Sequence, residues 1–199
     1  MRALFLNCSL KPGSETSNTQ ALADVVLDAL REQDVDVTSV RAVDRAILPG
    51  VSTDMGDGDE WPELHEALMS SEILVIGTPT WLGQPSSVSK RVLERMDAML
   101  AEKKDDGTYA AYNKVAGVVV TGNEDGAHHV ISEVAGALID IGFTVPGQAW
   151  TYWNRGPGAG KSYLETDEGH EWSASTGRTM ANNLVAVARA LQANPMPAV

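Results

Sequence analysis

Short apolar segments alternate along this chain with segments in which apolar residues recur at helical spacing. Residues 2–7 (RALFLN), 73–77 (ILVIG) and 115–121 (VAGVVVT) are too apolar to be half-exposed strands. Strands that are apolar on both faces are typical of a parallel sheet covered by helices on both sides. The alternation therefore predicts an α/β fold with a doubly wound parallel sheet.

The predicted elements follow one another without internal repeats or interdomain linkers. Predicted strands cover residues 2–7, 35–43, 73–77, 115–121 and 143–150, the last interrupted by proline. Apolar spacing predicts helices around residues 22–30, after residue 60, and over residues 87–100, 130–141 and 180–191. We expect residues 1–199 to form a single domain, with an irregular, glycine-rich extension at about 151–172.

The charge balance and the cysteine content restrict the partners and the compartment. The chain carries 15 basic and 27 acidic residues, a formal net charge of −12. Nucleic acids and anionic membranes bind clustered Lys and Arg, so we expect neither as a partner. No apolar run approaches the ~20 residues of a membrane span. The single cysteine, Cys8, excludes an intrachain disulfide and a Cys-cluster metal site, which favours the cytoplasm. We expect Cys8 to be a small buried residue rather than a nucleophile.

Unusual segments follow three of the predicted strands, at the sheet edge where doubly wound folds bind ligands. Residues 9–19 combine hydroxyls with a predicted helix start, which indicates either a phosphate cradle or a polar loop with a helix cap. Residues 79–85 are rich in Pro, Gly and aromatic residues, which favours a ligand-binding loop or a rigid turn. Residues 121–126 lead into His128 and His129, which point about 100° apart on a helix and cannot chelate one metal as a pair.

The three segments together resemble those of a known enzyme family. S-L-K-P-G-S-E-T-S-N-T-Q-A-L resembles the flavin-phosphate loop of flavodoxin-like NAD(P)H-dependent FMN reductases. P-T-W-L-G-Q-P-S-S-V-S-K-R-V-L-E-R-M-D resembles their second FMN loop and the helix after it. T-G-N-E-D-G-A-H-H is similar to the third loop, which borders the isoalloxazine ring in the related NAD(P)H:quinone oxidoreductases. The resemblance covers residues 1 to about 150 and implies a flavodoxin-like sheet of five parallel strands in the order 2-1-3-4-5.

The resemblance implies a role for each loop in binding FMN. The phosphate would be held by Ser9, Lys11, Ser17, Asn18 and Thr19. The ring and the ribityl chain would be lined by Pro79, Thr80, Trp81, Leu82 and Gly83. The pyrimidine side would be approached by Thr121, Gly122, Asn123 and Gly126. The carboxylates of Glu124 and Asp125 would then either face solvent or lower the flavin potential.

The resemblance also implies an FMN-dependent oxidoreductase that passes electrons from NAD(P)H to a quinone-like or flavin acceptor. His128 or His129 would orient the substrate or the flavin O2 edge, as catalytic residues. The family resemblance further implies a homodimer or homotetramer. We expect the acceptor pocket to be walled by Trp81, Trp150, Tyr152 and Trp153.

Alternatives stay open at this point. An acidic chain suits a flavodoxin-type electron carrier that docks basic partners, and a scaffold or regulatory domain without flavin would keep the same fold. Arg155 and Lys161 in the extension would either meet a pyridine-nucleotide phosphate or belong to a surface loop.

Overall fold

The computed structural model describes residues 1–158 and 160–198. Six strands form its sheet: β1 (Arg2–Asn7), β2 (Asp36–Arg41), β3 (Ile73–Trp81), β4 (Gln84–Pro85), β5 (Val115–Gly122) and β6 (Trp150–Asn154). Five of them are parallel and lie in the order β2-β1-β3-β5-β6, while the two-residue β4 pairs antiparallel with the end of β3. The predicted α/β class and the predicted strand order are confirmed.

Five α-helices connect and cover the strands. They are α1 (Asn18–Arg31), α2 (Trp61–Met69), α3 (Ser87–Met96), α4 (Ala127–Ile141) and α5 (His170–Ala193). Three 3₁₀ turns lie at Ala42–Asp44, Asp97–Leu100 and Tyr163–Glu165. No helix in the described part of the chain is long and apolar enough to cross a membrane.

The alternation of strand side chains divides the core into two layers. Leu4 and Leu6 of β1 pack in a cluster with residues of α2, α3 and α4. Ala3 and Phe5 of the same strand pack with residues of α1 and α5 on the opposite face. Both clusters are buried because successive side chains of a strand point to opposite faces, each covered by helices.

The order of the strands places a crevice at one sheet edge. After β1 the chain moves outward to β2, and after β2 it returns to place β3 on the other side of β1. The connections that leave the carboxyl ends of β1 and β3 therefore run in opposite directions, which opens a crevice between them. The loops after β1, β3 and β5 all border this crevice.

Three predicted boundaries are wrong. The fifth parallel strand covers residues 150–154 rather than 143–150. Within residues 143–149 the structure has a single bridge, between Thr144 and Val115. Pairing is interrupted there because Pro146 has no N–H to donate to the neighbouring strand. Of the predicted irregular extension, residues 151–154 are strand and α5 already begins at His170. β3 continues past residue 77 because its pairing with β5 extends to Pro79, after which Thr80 and Trp81 pair with β4.

Candidate functional site

The first loop, residues 9–19, joins β1 to α1 and carries the predicted helix cap. Ser17 is the N-cap of α1, and its Oγ accepts a hydrogen bond from Gln20 N at 3.2 Å. Lys11 Nζ donates to the Thr16 carbonyl of the same loop at 3.4 Å. The loop therefore combines free amides at a helix N-terminus, several hydroxyls and one ammonium group, which together favour an anion.

Two charged residues, one at the end of β2 and one in the 3₁₀ turn that follows it, hold the first loop from outside. The Arg41 guanidinium donates through Nη1 to three carbonyl oxygens of the loop, those of Lys11 (3.3 Å), Pro12 (2.7 Å) and Glu15 (2.8 Å). Asp44 accepts from Gly13 N with both carboxylate oxygens, at 3.0 and 2.8 Å. A Cβ at Gly13 would lie 2.5 Å from Asp44 Oδ2, so a larger residue there would displace this carboxylate. Neither Arg41 nor Asp44 lines the cavity described below, so both act by positioning the loop.

The hairpin, residues 79–85, turns β3 back into β4 and presents an aromatic side chain. Its turn residues Leu82 and Gly83 have positive φ angles of 52° and 72°, as tight two-residue hairpin turns require. Leucine rarely adopts this conformation, and strain of this kind costs about 1–3 kcal/mol and clusters at functional sites. Trp81 is 51% exposed beside the turn, while Leu82 is 91% exposed and faces solvent.

The third loop, residues 121–126, is tied to the first loop and to the hairpin. Thr121 Oγ1 and Thr19 Oγ1 form a buried hydrogen bond of 2.7 Å. The Glu124 carboxylate accepts from Gly83 N at 3.2 Å. A Cβ at Gly122 would lie 2.9 Å from the Glu124 carbonyl oxygen, so the loop closes tightly on itself. Glu124 thus holds the hairpin in place and does not line the cavity.

A fourth segment, which we call the strap (residues 155–158 and 160–169), crosses over the edge formed by these loops. Arg155 N donates to the Gly122 carbonyl at 3.0 Å. Gly160 N donates to the Asn123 carbonyl at 3.1 Å, and Asn123 Nδ2 donates back to the Gly160 carbonyl at 3.3 Å. Further along, Leu164 N donates to Asn18 Oδ1 at the start of α1, at 3.0 Å. The strap therefore joins the third loop to the first across the crevice.

The three loops and the strap enclose a cavity of about 340 Å³. Eleven of the predicted cofactor-binding residues line it: Ser9, Lys11, Ser17, Asn18, Thr19, Pro79, Thr80, Trp81, Thr121, Gly122 and Asn123. Leu82, Gly83 and Gly126 do not line it, and a Cβ on Gly126 would come within 3.0 Å of Gly83 Cα. We infer that these last three residues shape the cavity through their backbone.

Trp153, predicted as part of the aromatic wall, also lines the cavity. Sequence reasoning missed four further lining residues: Leu10, Ser162, Tyr163 and Glu165. Three of them belong to the strap, for which the sequence offered no family template. One signal was present, because Ser162 and Glu165 have the S-x-x-E spacing of a capping box. Ser162 N and Oγ each donate to Glu165 Oε2 at 2.7 Å, which lowers the pKa of that carboxyl, and nearby Lys161 and Lys11 lower it further.

The two predicted catalytic histidines lie outside the cavity lining. The His128 ring contacts Trp150 and Tyr152, with centroid distances of 5.7 and 5.0 Å. His129 Nε2 lies 2.9 Å from Gln84 Nε2 and 3.5 Å from the Glu133 carboxylate. His129 thus links α4 to the hairpin, and a catalytic role for either histidine stays a prediction.

The predicted aromatic wall is divided between two places. Trp81 and Trp153 line the cavity, whereas Trp150 and Tyr152 continue outward from the sheet edge to Trp172, whose ring centroid lies 4.9 Å from that of Tyr152. Arg155 pairs with Glu168 at a second, shallower cavity of about 320 Å³ beside these rings. Lys161 is exposed in the strap.

Two buried hydroxyls test whether the cavity suits a polar ligand. Ser9 Oγ and Thr80 Oγ1 are buried and have no hydrogen-bond partner among the described residues. Both residues line the cavity, and a buried hydroxyl without a partner costs free energy that a ligand oxygen would recover. Together with the start of α1 and Lys11 on one side and Trp81 on the other, they fit a ligand with an anionic end and a flat ring, as FMN has.

The single cysteine and the side chains that could bind a metal were located as well. Cys8 is fully buried, as the sequence predicts, and burial raises the pKa of its thiol to about 12. Within residues 1–158 and 160–198, no three His, Cys, Asp or Glu side chains are grouped so that they could hold a metal ion.

A protein family and two named proteins match this chain in sequence. Residues 1–157 match the family described as NADPH-dependent FMN reductase. The chain is 34% identical over 205 residues to the 8-demethyl-8-aminoriboflavin-5'-phosphate synthase of Streptomyces davaonensis, covering 98% of this chain and 80% of that protein. It is 40% identical over 200 residues to a Mycobacterium bovis protein named divalent metal cation transporter MntH, but spans only 29% of that protein's length.

Solved structures agree with the sequence matches. The crystal structure of RosB with the bound intermediate 8-demethyl-8-formylriboflavin-5'-phosphate superposes with a TM-score of 0.91 at 34% identity, over 98% of this chain and 82% of that one. A flavodoxin from the domain Archaea superposes with a TM-score of 0.57 at 14% identity, over 93% of this chain and 99% of its own. The flavodoxin-like fold implied by the sequence is therefore confirmed.

Proposed function

Because the chain belongs to the NADPH-dependent FMN reductase family, we propose that its cavity binds FMN and that the protein transfers electrons from NAD(P)H to a quinone-like or flavin acceptor. A flavin-associated oxidoreductase is what the family and the similar proteins support. The donor, the acceptor and the roles of individual residues are the proposed part.

One observation carries the proposal. The three loops that resemble FMN-binding loops converge on a single cavity, where two buried hydroxyls, Ser9 Oγ and Thr80 Oγ1, have no partner among the described residues. A loop that served only to connect elements would expose its hydroxyls or pair them. Both hydroxyls belong to residues that line one cavity, and a ligand that accepts hydrogen bonds from them would satisfy both.

The proposed contacts divide the cavity into two ends. Ser17, Thr19 and the first amides of α1 would hold the phosphate, with Lys11 as the one cation that the first loop supplies. Pro79 and Trp81 would lie against the ring, and the backbone of Gly122 and Asn123 would meet its pyrimidine side. Bound FMN would supply hydride acceptance and electron transfer, while the chain positions it and excludes water from its phosphate end.

The hairpin supports the proposal of a homo-oligomer. Trp81 and Leu82 are large apolar residues exposed beside the cavity, at 51% and 91%, and a neighbouring subunit would cover them. Light scattering of the purified protein tests this: a monomer at micromolar concentration would contradict it.

Spectroscopy and turnover test the proposal directly. We expect purified protein, or protein given FMN, to show flavin absorbance, and to oxidise NADH or NADPH rapidly once a quinone such as menadione is added. A flavodoxin-type carrier would bind FMN but fail to oxidise NAD(P)H unaided. A scaffold would stay colourless after added FMN. Either of these two results would overturn the proposal.

A second candidate function is chemical modification of the flavin. Identity to the Streptomyces davaonensis synthase extends over 98% of this chain, and so includes the strap, most of which lies beyond the residue 157 at which the family match ends. Incubation with FMN, an amino acid as amine donor and O₂ as oxidant, with and without NAD(P)H, followed by mass spectrometry, separates the two functions. An altered flavin mass supports modification, whereas unchanged FMN with continuous NAD(P)H consumption supports the reductase.

A further inference from the structure

We propose that the turn formed by residues 162–165 of the strap selects the flavin, by admitting one that ends in a monophosphate and excluding flavin adenine dinucleotide (FAD). This inference rests on the proposed function, because it assumes that the phosphate lies at the start of α1. FAD is FMN extended through this phosphate by an AMP unit. Whatever stands beyond the phosphate therefore decides between the two ligands.

The turn stands beside the helix end where the phosphate would bind. Leu164 N donates to Asn18 Oδ1, the side chain of the first residue of α1, at 3.0 Å. On either side of Leu164, Tyr163 and Glu165 line the same cavity as Lys11. The turn is thus a wall of the phosphate end, and the cavity of about 340 Å³ is at the small end of ligand sites, which span roughly 300–1,000 Å³.

Packing fixes the position of the turn. The Tyr163 ring is buried and stacks on the His170 ring, with centroids 3.8 Å apart. His170 Nε2 also lies 2.9 Å from the Tyr163 carbonyl, within hydrogen-bond distance. Ser162 closes the turn by donating twice to the Glu165 carboxylate. Because these contacts join the turn to α5, the wall does not move aside without breaking them.

The negative charge of Glu165 on this turn would repel a second phosphate group of the ligand. Glu165 is ionised at neutral pH, since the hydrogen bonds from Ser162 lower its pKa, and Lys161 and Lys11 contribute in the same direction. A monophosphate at the start of α1 would share Lys11 with this carboxylate. The additional phosphate of FAD would continue toward Glu165, and like charges held close together repel. Steric closure and charge therefore act against the same ligand.

Titration of flavin-free protein with FMN, FAD and riboflavin, followed by flavin fluorescence, tests the inference. We expect wild type to bind FMN at least about tenfold more tightly than FAD, a ratio that corresponds to about 1.4 kcal/mol. Glu165→Gln removes the charge but keeps an oxygen that accepts from Ser162. This variant should narrow the ratio of the FMN and FAD affinities by about threefold, the size typical of an exposed charge pair. Glu165→Ala also removes the cap and should narrow the ratio further.

Glu171→Gln is the matched control. It makes the same change in charge at an exposed position in the first turn of α5, outside the cavity lining, and should leave the ratio unchanged. Riboflavin, which has no phosphate, should bind every variant equally and so report that each variant is folded.

Two results would overturn the inference while leaving FMN binding intact. One is equal affinity of wild type for FMN and FAD, and the other is an unchanged ratio in both Glu165 variants. If wild type binds none of the three flavins, the proposed function fails, and the inference fails with it.

Discussion

The first loop and the strap enclose the same end of the cavity, but different kinds of contact hold them in place. The first loop is fixed by charged side chains at and just after the end of β2 and by a helix cap within its own sequence. The strap is fixed mainly by backbone amides that donate to residues distant in sequence, as from Leu164 to Asn18, 146 positions away. The first loop therefore carries its own signal, while the strap takes its conformation from its neighbours.

The largest effect is expected from Ser17→Asp, which places a negative charge within the first loop. Aspartate is a good N-cap, so α1 should still form. Its charge would face the phosphate, however, and two charges about 4 Å apart near a protein surface repel by about 4 kcal/mol. We expect the affinity for FMN to fall at least about 100-fold and the affinity for riboflavin to change little, as measured by calorimetric titration.

Ser14→Asp provides the control for this experiment. Ser14 is exposed in the same loop and does not line the cavity, so the same charge there should weaken FMN binding far less. Comparable losses in the two variants would place the phosphate elsewhere.

Arg41→Ala removes a side chain that supports the first loop from outside, and it should have the next largest effect. It removes three hydrogen bonds to loop carbonyls without touching the ligand. We expect the affinity for FMN to fall about tenfold, since a hydrogen bond to a charged group contributes about 1.5–3 kcal/mol, part of which water restores. Riboflavin binding should not change. Arg31→Ala is the control, because Arg31 is exposed and its guanidinium pairs with Asp28 of its own helix. An equal loss of FMN affinity in that variant would refute a positioning role for Arg41.

The contrast between the first loop and the strap explains which parts of the structure could be predicted from the sequence. The apolar alternation in β1, β3 and β5 is a local pattern, and it predicted the parallel sheet. The eleven cavity residues were implied by the resemblance of three loop sequences to FMN-binding loops. Arg41 gave no such signal, because its role depends on parallel pairing that brings the end of β2 beside the first loop. The strap was missed for the same reason, although the Ser162 and Glu165 spacing predicts an ordered turn.

The wrong strand boundary has a related cause. Residues 143–150 are apolar enough for a strand, but Pro146 and the turn after it prevent continuous pairing, so the ladder begins at Trp150. The sequence records apolarity at each residue, whereas pairing depends on the register with β5.

Ser162→Ala tests the strap and should have a smaller effect than either change in the first loop. It removes one of the two hydrogen bonds to Glu165, and loss of a cap typically costs about 1 kcal/mol. We expect cleavage within the strap by a protease to become several-fold faster, and the affinity for FMN to fall only about threefold. Ser175→Ala, at an exposed position of α5, should change neither. A loss of FMN affinity as large as in Arg41→Ala would mean that the strap contributes as much to FMN binding as the support of the first loop does.

The smallest expected effect is a pH dependence that the strap should show and the first loop should not. The cap of the first loop is the neutral hydroxyl of Ser17, which does not titrate, whereas the cap of the strap is the Glu165 carboxylate. Hydrogen bonds from Ser162 lower its pKa below the usual 4.5, so the cap stabilises the strap fully above that pH. This stabilisation is lost as the pH falls through the lowered pKa, because the protonated carboxyl accepts these bonds weakly.

Hydrogen exchange measures this loss. Once the rates are corrected for intrinsic exchange and compared with those of core amides of α1, the protection of residues 160–166 should decline at acid pH. Glu165→Gln should abolish the pH dependence. A decline of equal size in that variant would mean that another group titrates, and no decline in wild type would mean that the capping box does not hold the strap.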